Sequence, residues 1–331
     1  MYSLLDYGWM IRASARRDAY VEALRRSVRP GCTVLEIGSG PGFFAVLAAK
    51  LGAAHVWAVD PDESVHLGKE LAKDNGVADR VTFVQGKVEE LTLPAPVDVI
   101  VSDLRGVLPV LRGHFAAVAH ARKHLLAEGG VLIPARDTLW VAASDDARVF
   151  EPWRDPWTLA PEGISLTSVR RFAVNAWQKG RVAPESLLAP AQAFATLDYA
   201  TLEDTGVGGR VELEVQRAGT LQGLTVWFDT ELVPGVGFSN GPHAPPLVYG
   251  SAAFPIERSV EVAPGMRVAV ELGATPATDE YDWRWRVTVT APGQGAPLLD
   301  ERHHSMMGRP LAPLTKTLAK KLAASDAPGT S

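Results

Sequence analysis

The sequence has one cysteine, Cys32, so no disulfide can form within the chain and a reducing, cytoplasmic setting is expected. No apolar run reaches the roughly 18–20 residues that a membrane-spanning helix needs, so no membrane is expected as a partner. The N-terminal residues lack the continuous apolar stretch and cleavage site of a secretory signal. No basic tract suggests nucleic acid as a partner, and the formal net charge of −5 over 331 residues gives no electrostatic reason to expect a polyanion. No Cys/His spacing suggests a metal, and no internal repeat is present. What remains is a globular composition, 47% hydrophobic, in a chain long enough for two cores.

The two halves differ in texture. Up to about residue 135, VLEIG (34–38), HVWAVD (55–60), VTFVQG (81–86), VDVIVSD (97–103) and GVLIPA (130–135) alternate with helical stretches. Strands alternating with helices predict a parallel sheet covered on both faces, an α/β class. Beyond Pro134, runs such as VELEVQ, GLTVWFDTEL, MRVAVELG and DWRWRVTVT alternate apolar and polar residues. They predict antiparallel strands in a barrel or sandwich, with Trp227, Trp283 and Trp285 as packing on strand faces. Residues 172–193 mix prolines with short helical signals and read as a projecting arm. After Pro310 the basic amphipathic stretch LTKTLAKKLAAS reads as a terminal tail.

Gly38-Ser39-Gly40-Pro41-Gly42 lies between the first strand and the following helix. Glycines there allow tight turns and close approach of a ligand to the backbone. A dinucleotide fingerprint needs a small residue where this chain has Phe43, so a pyrophosphate cofactor is disfavoured. S-adenosylmethionine has no pyrophosphate. Asp60 ends the second strand, where its carboxylate can accept from both ribose hydroxyls. Glu36, at the edge of the first strand, can accept from the donor's ammonium or from its ribose through water. After the third strand, Glu89 can accept from the adenine amine while the Val88 backbone reads the ring edge. Pro61 and Ser102, at neighbouring strand ends, belong to the same pocket. Together these residues point to S-adenosylmethionine as cofactor, with S-adenosylhomocysteine as product.

The chain resembles the protein arginine methyltransferase family from its N-terminus to about residue 310. The likeness is carried by KVEELTLP, VSDLRG and GVLIPARDTLWVAAS besides the glycine loop. It implies a Rossmann-like class I methyltransferase sheet followed by a mostly antiparallel β-barrel domain with a helical dimerisation arm. The implied divisions are N-terminal helices over the cofactor (1–28), the donor-binding domain (29–135), the barrel (136–310, arm at 172–193) and a tail (311–331). It also implies that Met10 packs near the sulfonium, that Arg16 holds the donor's carboxylate, and that the protein forms a homodimer through the arm.

Arginine methylation requires a grip on a guanidinium that stays protonated at ordinary pH, and the family supplies it with two glutamates on one loop. Here the first position is Asp103 and the second is Arg112. The family's Thr-His-Trp triplet is replaced by Leu247-Val248-Tyr249. Losing one partner of a buried ion pair costs on the order of 3–5 kcal/mol, or roughly two to three decades of binding, so arginine is not the expected acceptor. An oxygen or nitrogen of a peptide, protein or small molecule is expected instead. Asp103 is the first candidate for base or orienting group, Tyr249 a candidate hydrogen-bond donor, and Arg105 and Arg112 candidate partners for an anionic group on the acceptor. The histidines His114, His243, His303 and His304 are lesser candidates for a base. Two further readings stay open: a divergent arginine methyltransferase, and a non-catalytic donor-binding scaffold.

Overall fold

The computed structural model describes residues 3–12, 14–111, 113–203, 206–277 and 280–305. Arg112 and the tail after Ser305 lie outside them, so the expectations for Arg112 and for 311–331 have no structural counterpart here.

The first half is built on five parallel strands: β1 (Thr33–Ile37), β2 (His55–Asp60), β3 (Val81–Gln85), β4 (Val97–Ser102) and β5 (Leu126–Ile133), in the order β3-β2-β1-β4-β5. Their near-continuous apolar runs follow from burial on both faces; β1 is buried at all but its first residue, and β4 at all but its second. Register sets Ile37 beside Val59 and Ser102, so the ends of β1, β2 and β4 lie along one edge. The order reverses between β1 and β4, and the crevice at such a switch point is where α/β sheets bind ligands. Two helices precede the sheet. The first, α1 (Leu4–Ile11), starts in a capping box between Ser3 and Asp6, and α2 (Ala15–Ser27) starts on the Ser14 hydroxyl. Helices α3 (Phe43–Lys50), α4 (Leu67–Asp74) and α5 (His114–His124) follow β1, β2 and β4.

The second half is antiparallel throughout, as expected, in two sheets rather than one closed cylinder. Strands β6 (Arg136–Ser144), β7 (Gln178–Gly180) and β8 (Gln192–Asp198) join the six-stranded sheet, while β9 (Val207–Glu214) opens the other. The six-stranded sheet runs β7-β12-β10-β6-β8, with β11 (Val236–Ser239) on the far part of β10 (Gly219–Val233) and β12 being Ser251–Val262. The four-stranded sheet runs β15-β14-β13-β9, with β13 (Arg267–Pro276), β14 (Tyr281–Thr290) and β15 (Leu299–His304). Period-2 burial along β14 points Trp283 and Trp285 inward. Both pack edge-on against Phe254 of the opposite sheet, at 5.3 and 5.2 Å between ring centres. Trp283 and Trp285 are therefore core packing, as the strand pattern predicted.

The helical excursion does not sit at 172–193. It lies earlier, in α6 (Ala147–Arg154) and α7 (Thr167–Ala173), with short 3-10 turns between them. Residues 178–193 return instead as β7, one 3-10 turn at Pro184–Ser186 and the start of β8. The misplacement has a physical cause. Pro152 inside α6 breaks the helical signal, and α7 is only seven residues long. Leu159, Ile164, Val169 and Phe172 on this excursion are exposed.

Candidate active site

The glycine loop turns sharply at the sheet's carboxyl edge. Gly38, Gly40 and Gly42 all have positive φ, at 73°, 48° and 81°, where a side chain would be strained. The loop is held to β2 by Gly38 and Ser39 N–H groups donating to the Val59 carbonyl. Asp60 reaches back across the turn: its carboxylate accepts from the Gly40 N–H at 2.7 Å and the Asp62 N–H at 2.8 Å. A carboxylate has about four acceptor positions, so two remain for ribose hydroxyls. Pro61 follows on the surface, and Gly86 after β3 donates to the Asp60 carbonyl at 3.0 Å. The 3-10 turn Val88–Glu90 comes next, with Val88 buried and Glu89 exposed. A Cβ on Gly40 would strike the Tyr7 ring and one on Gly38 would strike Leu104. The glycines thus let α1 and the segment after β4 close down on the loop. These groups are compatible with S-adenosylmethionine: Asp60 keeps acceptor positions suited to a ribose, and the turn carries glycine backbone that a ligand can approach.

Glu36 differs from expectation. Its carboxyl is buried and accepts from the Ala45 N–H at 2.7 Å, capping α3, whose Gly42 N-cap has no side chain to do so. Burial pushes its pKa up to about 8, against the Ala45 hydrogen bond and with help from the nearby Asp60 charge. The folded state therefore holds a proton that the unfolded state releases above about 4.5, and stability falls as pH rises from about 4.5 to 8. Glu36→Gln keeps an acceptor for Ala45 and removes the titration. Its melting temperature is expected to change less between pH 5 and pH 8 than that of the parent; equal pH slopes would refute this role.

The residues flagged after β4 converge with those of α2. Arg16 is buried with a side-chain exposure of 10%, and Asp103 with one of 7%. The Arg16 Nε donates to Asp103 Oδ2 at 2.5 Å and to the Tyr249 hydroxyl at 2.8 Å, while its Nη2 also pairs with Asp103 Oδ2. Tyr249 donates its own proton to the same Asp103 oxygen. The other Asp103 oxygen accepts from Arg105 Nε at 3.0 Å. Arg105 has no exposed side-chain surface. Its Nη1 binds Asp137 at 2.9 Å and Thr230 at 2.7 Å, and its Nη2 the Tyr20 hydroxyl. Tyr20 donates to the Ser102 carbonyl at 2.8 Å, and Tyr199 to the second Asp137 oxygen at 2.7 Å. Two cations and two anions thus balance inside one buried cluster, with every nitrogen of Arg105 and both oxygens of each carboxylate bonded, which is the condition for such a cluster to be tolerated.

Three expectations change here. Arg105 is not available to an anionic acceptor, because every nitrogen of its fork is bound within the chain. Tyr249 spends its hydroxyl on Arg16 and Asp103. Asp103 is a poor base. Burial raises its pKa, but the charges of Arg16 and Arg105 and the Tyr249 hydrogen bond outweigh it and hold the group at about 2. Among the histidines, His114 is buried with Nδ1 2.8 Å from the Pro109 carbonyl, and burial lowers its pKa. His243 is exposed, while His303 and His304 sit on β15 in the four-stranded sheet.

Sequence reasoning missed Tyr20, Asp137, Thr230 and Tyr199. It also missed Asn240, which is wholly buried. The Asn240 side chain accepts from the Phe228 N–H at 2.8 Å and donates to the carbonyls of Val107 and Gly250, at 3.0 and 2.5 Å. It ties the loop after β4 to the barrel loop carrying Tyr249. Asp137 had a legible signal. It shares an alternating face of β6 with Leu139 and Val141, all three buried, and an acid on an inward face calls for a partner.

Comparison with known proteins matches residues 18–133 to the family model described as Ribosomal protein L11 methyltransferase (PrmA), and residues 135–288 to the Arginine methyltransferase oligomerization subdomain. The two meet at Pro134, where β5 gives way to β6. The chain is an S-adenosylmethionine-dependent methyltransferase of class I, similar to the protein arginine methyltransferases. This methyltransferase is 26% identical to Protein arginine N-methyltransferase 1.1 of Arabidopsis thaliana over 280 residues, 82% of the chain and 72% of that protein. It is 31% identical to Probable protein arginine N-methyltransferase 1.2 of the same plant over 219 residues, 63% of the chain and 58% of that protein. The methyltransferase therefore spans less than two thirds of the length of that second relative. Its fold matches the Trypanosoma brucei PRMT1 enzyme-prozyme heterotetrameric complex with AdoHcy at a TM-score of 0.82, with 24% identity, covering 90% of this chain and 97% of that one.

Proposed function

We propose that this methyltransferase acts on an oxygen or nitrogen of a peptide, protein or small-molecule acceptor other than an arginine guanidinium. One observation carries the reading: the carboxylate at the family's first acceptor position, Asp103, is taken up by the chain's own Arg16, Arg105 and Tyr249. A substrate guanidinium would have to displace two buried arginines from it. The second acceptor position is a further cation, Arg112. The donor supplies a methyl group on a sulfonium, an electrophile that needs little activation. The chain's part is to hold the donor through Asp60, the glycine loop and Arg16, and to align the acceptor's lone pair.

The test is labelled donor with purified protein and a panel of peptides presenting arginine, lysine, histidine, serine, threonine and free carboxylates. Transfer to a non-arginine member, with arginine at least about a hundredfold slower, is expected. Efficient arginine methylation would establish the runner-up, a divergent arginine methyltransferase whose loop brings in another acid.

The second part of the proposal is a homodimer through the helical excursion. It is supported by the match of residues 135–288 to an oligomerization subdomain and by the exposed Leu159, Ile164, Val169 and Phe172, an apolar surface of the kind that marks association. Light scattering should give twice the 35.5 kDa chain mass, and Ile164→Asp with Phe172→Asp should return it to the monomer. A monomeric parent protein removes the idea.

A further inference from the structure

The cluster around Arg16 carries one more step, which rests on the reading of Arg16 as the group that meets the donor's carboxylate. We propose that Asp103 and Tyr249, at positions the family uses for its acceptor, are here positioning residues for the donor: they hold one edge of the Arg16 guanidinium so that its other edge faces the donor's carboxylate.

A guanidinium offers two forked edges, Nε with Nη2 and Nη1 with Nη2. The first edge is occupied. Asp103 Oδ2 accepts from both Nε and Nη2, and the Tyr249 hydroxyl accepts from Nε while donating to that same oxygen. On the second edge, Nη1 has, among the described residues, only the Met10 carbonyl, at 3.3 Å, a long bond beside the usual 2.9–3.0 Å. The guanidinium also lies over the rings of Tyr20 and Phe44, at 5.4 and 5.7 Å. Phe44 belongs to the first turn of α3, directly after the glycine loop, so the guanidinium lies beside the loop that would hold the donor. Asp103 is in turn fixed through its other oxygen by Arg105, which Asp137, Thr230 and Tyr20 hold still.

The advantage is entropic. An arginine free to rotate loses side-chain freedom when it grips a ligand, whereas one already held has lost it on folding. A simple competition, in which Asp103 and the donor's carboxylate contend for the same guanidinium, predicts the opposite sign. The separate edges favour positioning over competition.

The experiment needs no acceptor. Calorimetry on the full chain would compare S-adenosylhomocysteine with 5′-methylthioadenosine, which keeps the nucleoside and thioether but lacks the carboxylate. Asp103→Asn is expected to weaken S-adenosylhomocysteine about tenfold, and Tyr249→Phe about threefold. Methylthioadenosine affinity should stay unchanged in both. In an Arg16→Ala background, Asp103→Asn should have no further effect on S-adenosylhomocysteine. Unchanged or tighter S-adenosylhomocysteine binding by both single variants overturns the proposal, and so does a parallel loss of both ligands. If Asp103→Asn does not fold, Tyr249→Phe, which removes only a hydroxyl, decides alone. Failure of the parent protein to bind either ligand would sink the donor-site reading itself, a result distinct from a failure of positioning.

Discussion

Replacing Asp60 by alanine is expected to weaken S-adenosylhomocysteine binding by at least about a hundredfold. Hydrogen bonds to a charged group are worth about 1.5–3 kcal/mol each, and the proposed role gives this carboxylate two ribose hydroxyls. Their loss is about 3–6 kcal/mol, or two to four decades in Kd. The variant also frees the Gly40 and Asp62 N–H groups that Asp60 now holds, loosening the turn that approaches the ligand. Asp60→Asn separates the two effects. It keeps one acceptor oxygen and most of the shape, so it should fall between the parent and the alanine variant. Calorimetry with circular dichroism as a fold check would measure both. A Kd within about threefold of the parent for Asp60→Ala would place the ribose elsewhere.

The largest expected effect on stability is at Arg105. Its side chain has no exposed surface, and its removal leaves Asp137 with no counter-charge in an environment that strongly penalises bare ions. Breaking such a pair costs about 3–5 kcal/mol, a large share of the stability of an ordinary domain. Arg105→Met should therefore lower the urea midpoint sharply, with little change in the slope of the transition. Adding Asp137→Asn removes the stranded charge and should recover at least about half of the loss. An Arg105→Met variant as stable as the parent would mean that the cluster carries no weight. The same variant tests the earlier view of Arg105 as an acceptor contact, because a surface cation would give no stability effect at all.

These two residues also mark what the sequence could and could not disclose. Asp60 was legible because its meaning is local: a largely apolar strand ends on an acid, about twenty residues after a glycine turn. The parallel and antiparallel halves were legible for the same reason, through the periods of two and 3.6. Arg105 was not. In sequence it is a cation in a loop two residues after an acid, which reads as a contact for an anionic acceptor. Its burial depends on Tyr20, Asp137 and Thr230, separated from it by 85, 32 and 125 residues, and no window of local pattern brings those together. Asp103 suffered likewise, since its neighbours Arg16 and Tyr249 lie 87 and 146 residues from it along the chain. The helical excursion was misplaced for a different reason: its helices are short, and one carries an internal proline.

The junction at Pro134 looks like a natural place to cut, graft or exchange halves, since one family description ends before it and another begins after it. The Arg105–Asp137 pair says otherwise. The cation belongs to the first half and the anion to the second, so a fragment ending at residue 134 would carry a guanidinium prepared for burial with nothing to meet it. A chimera joining this first half to a foreign barrel would succeed only if the incoming barrel brought an acid at the first buried position of its opening strand. Exchange of halves with a relative would meet the same requirement, because neither half of this chain is electrically complete on its own.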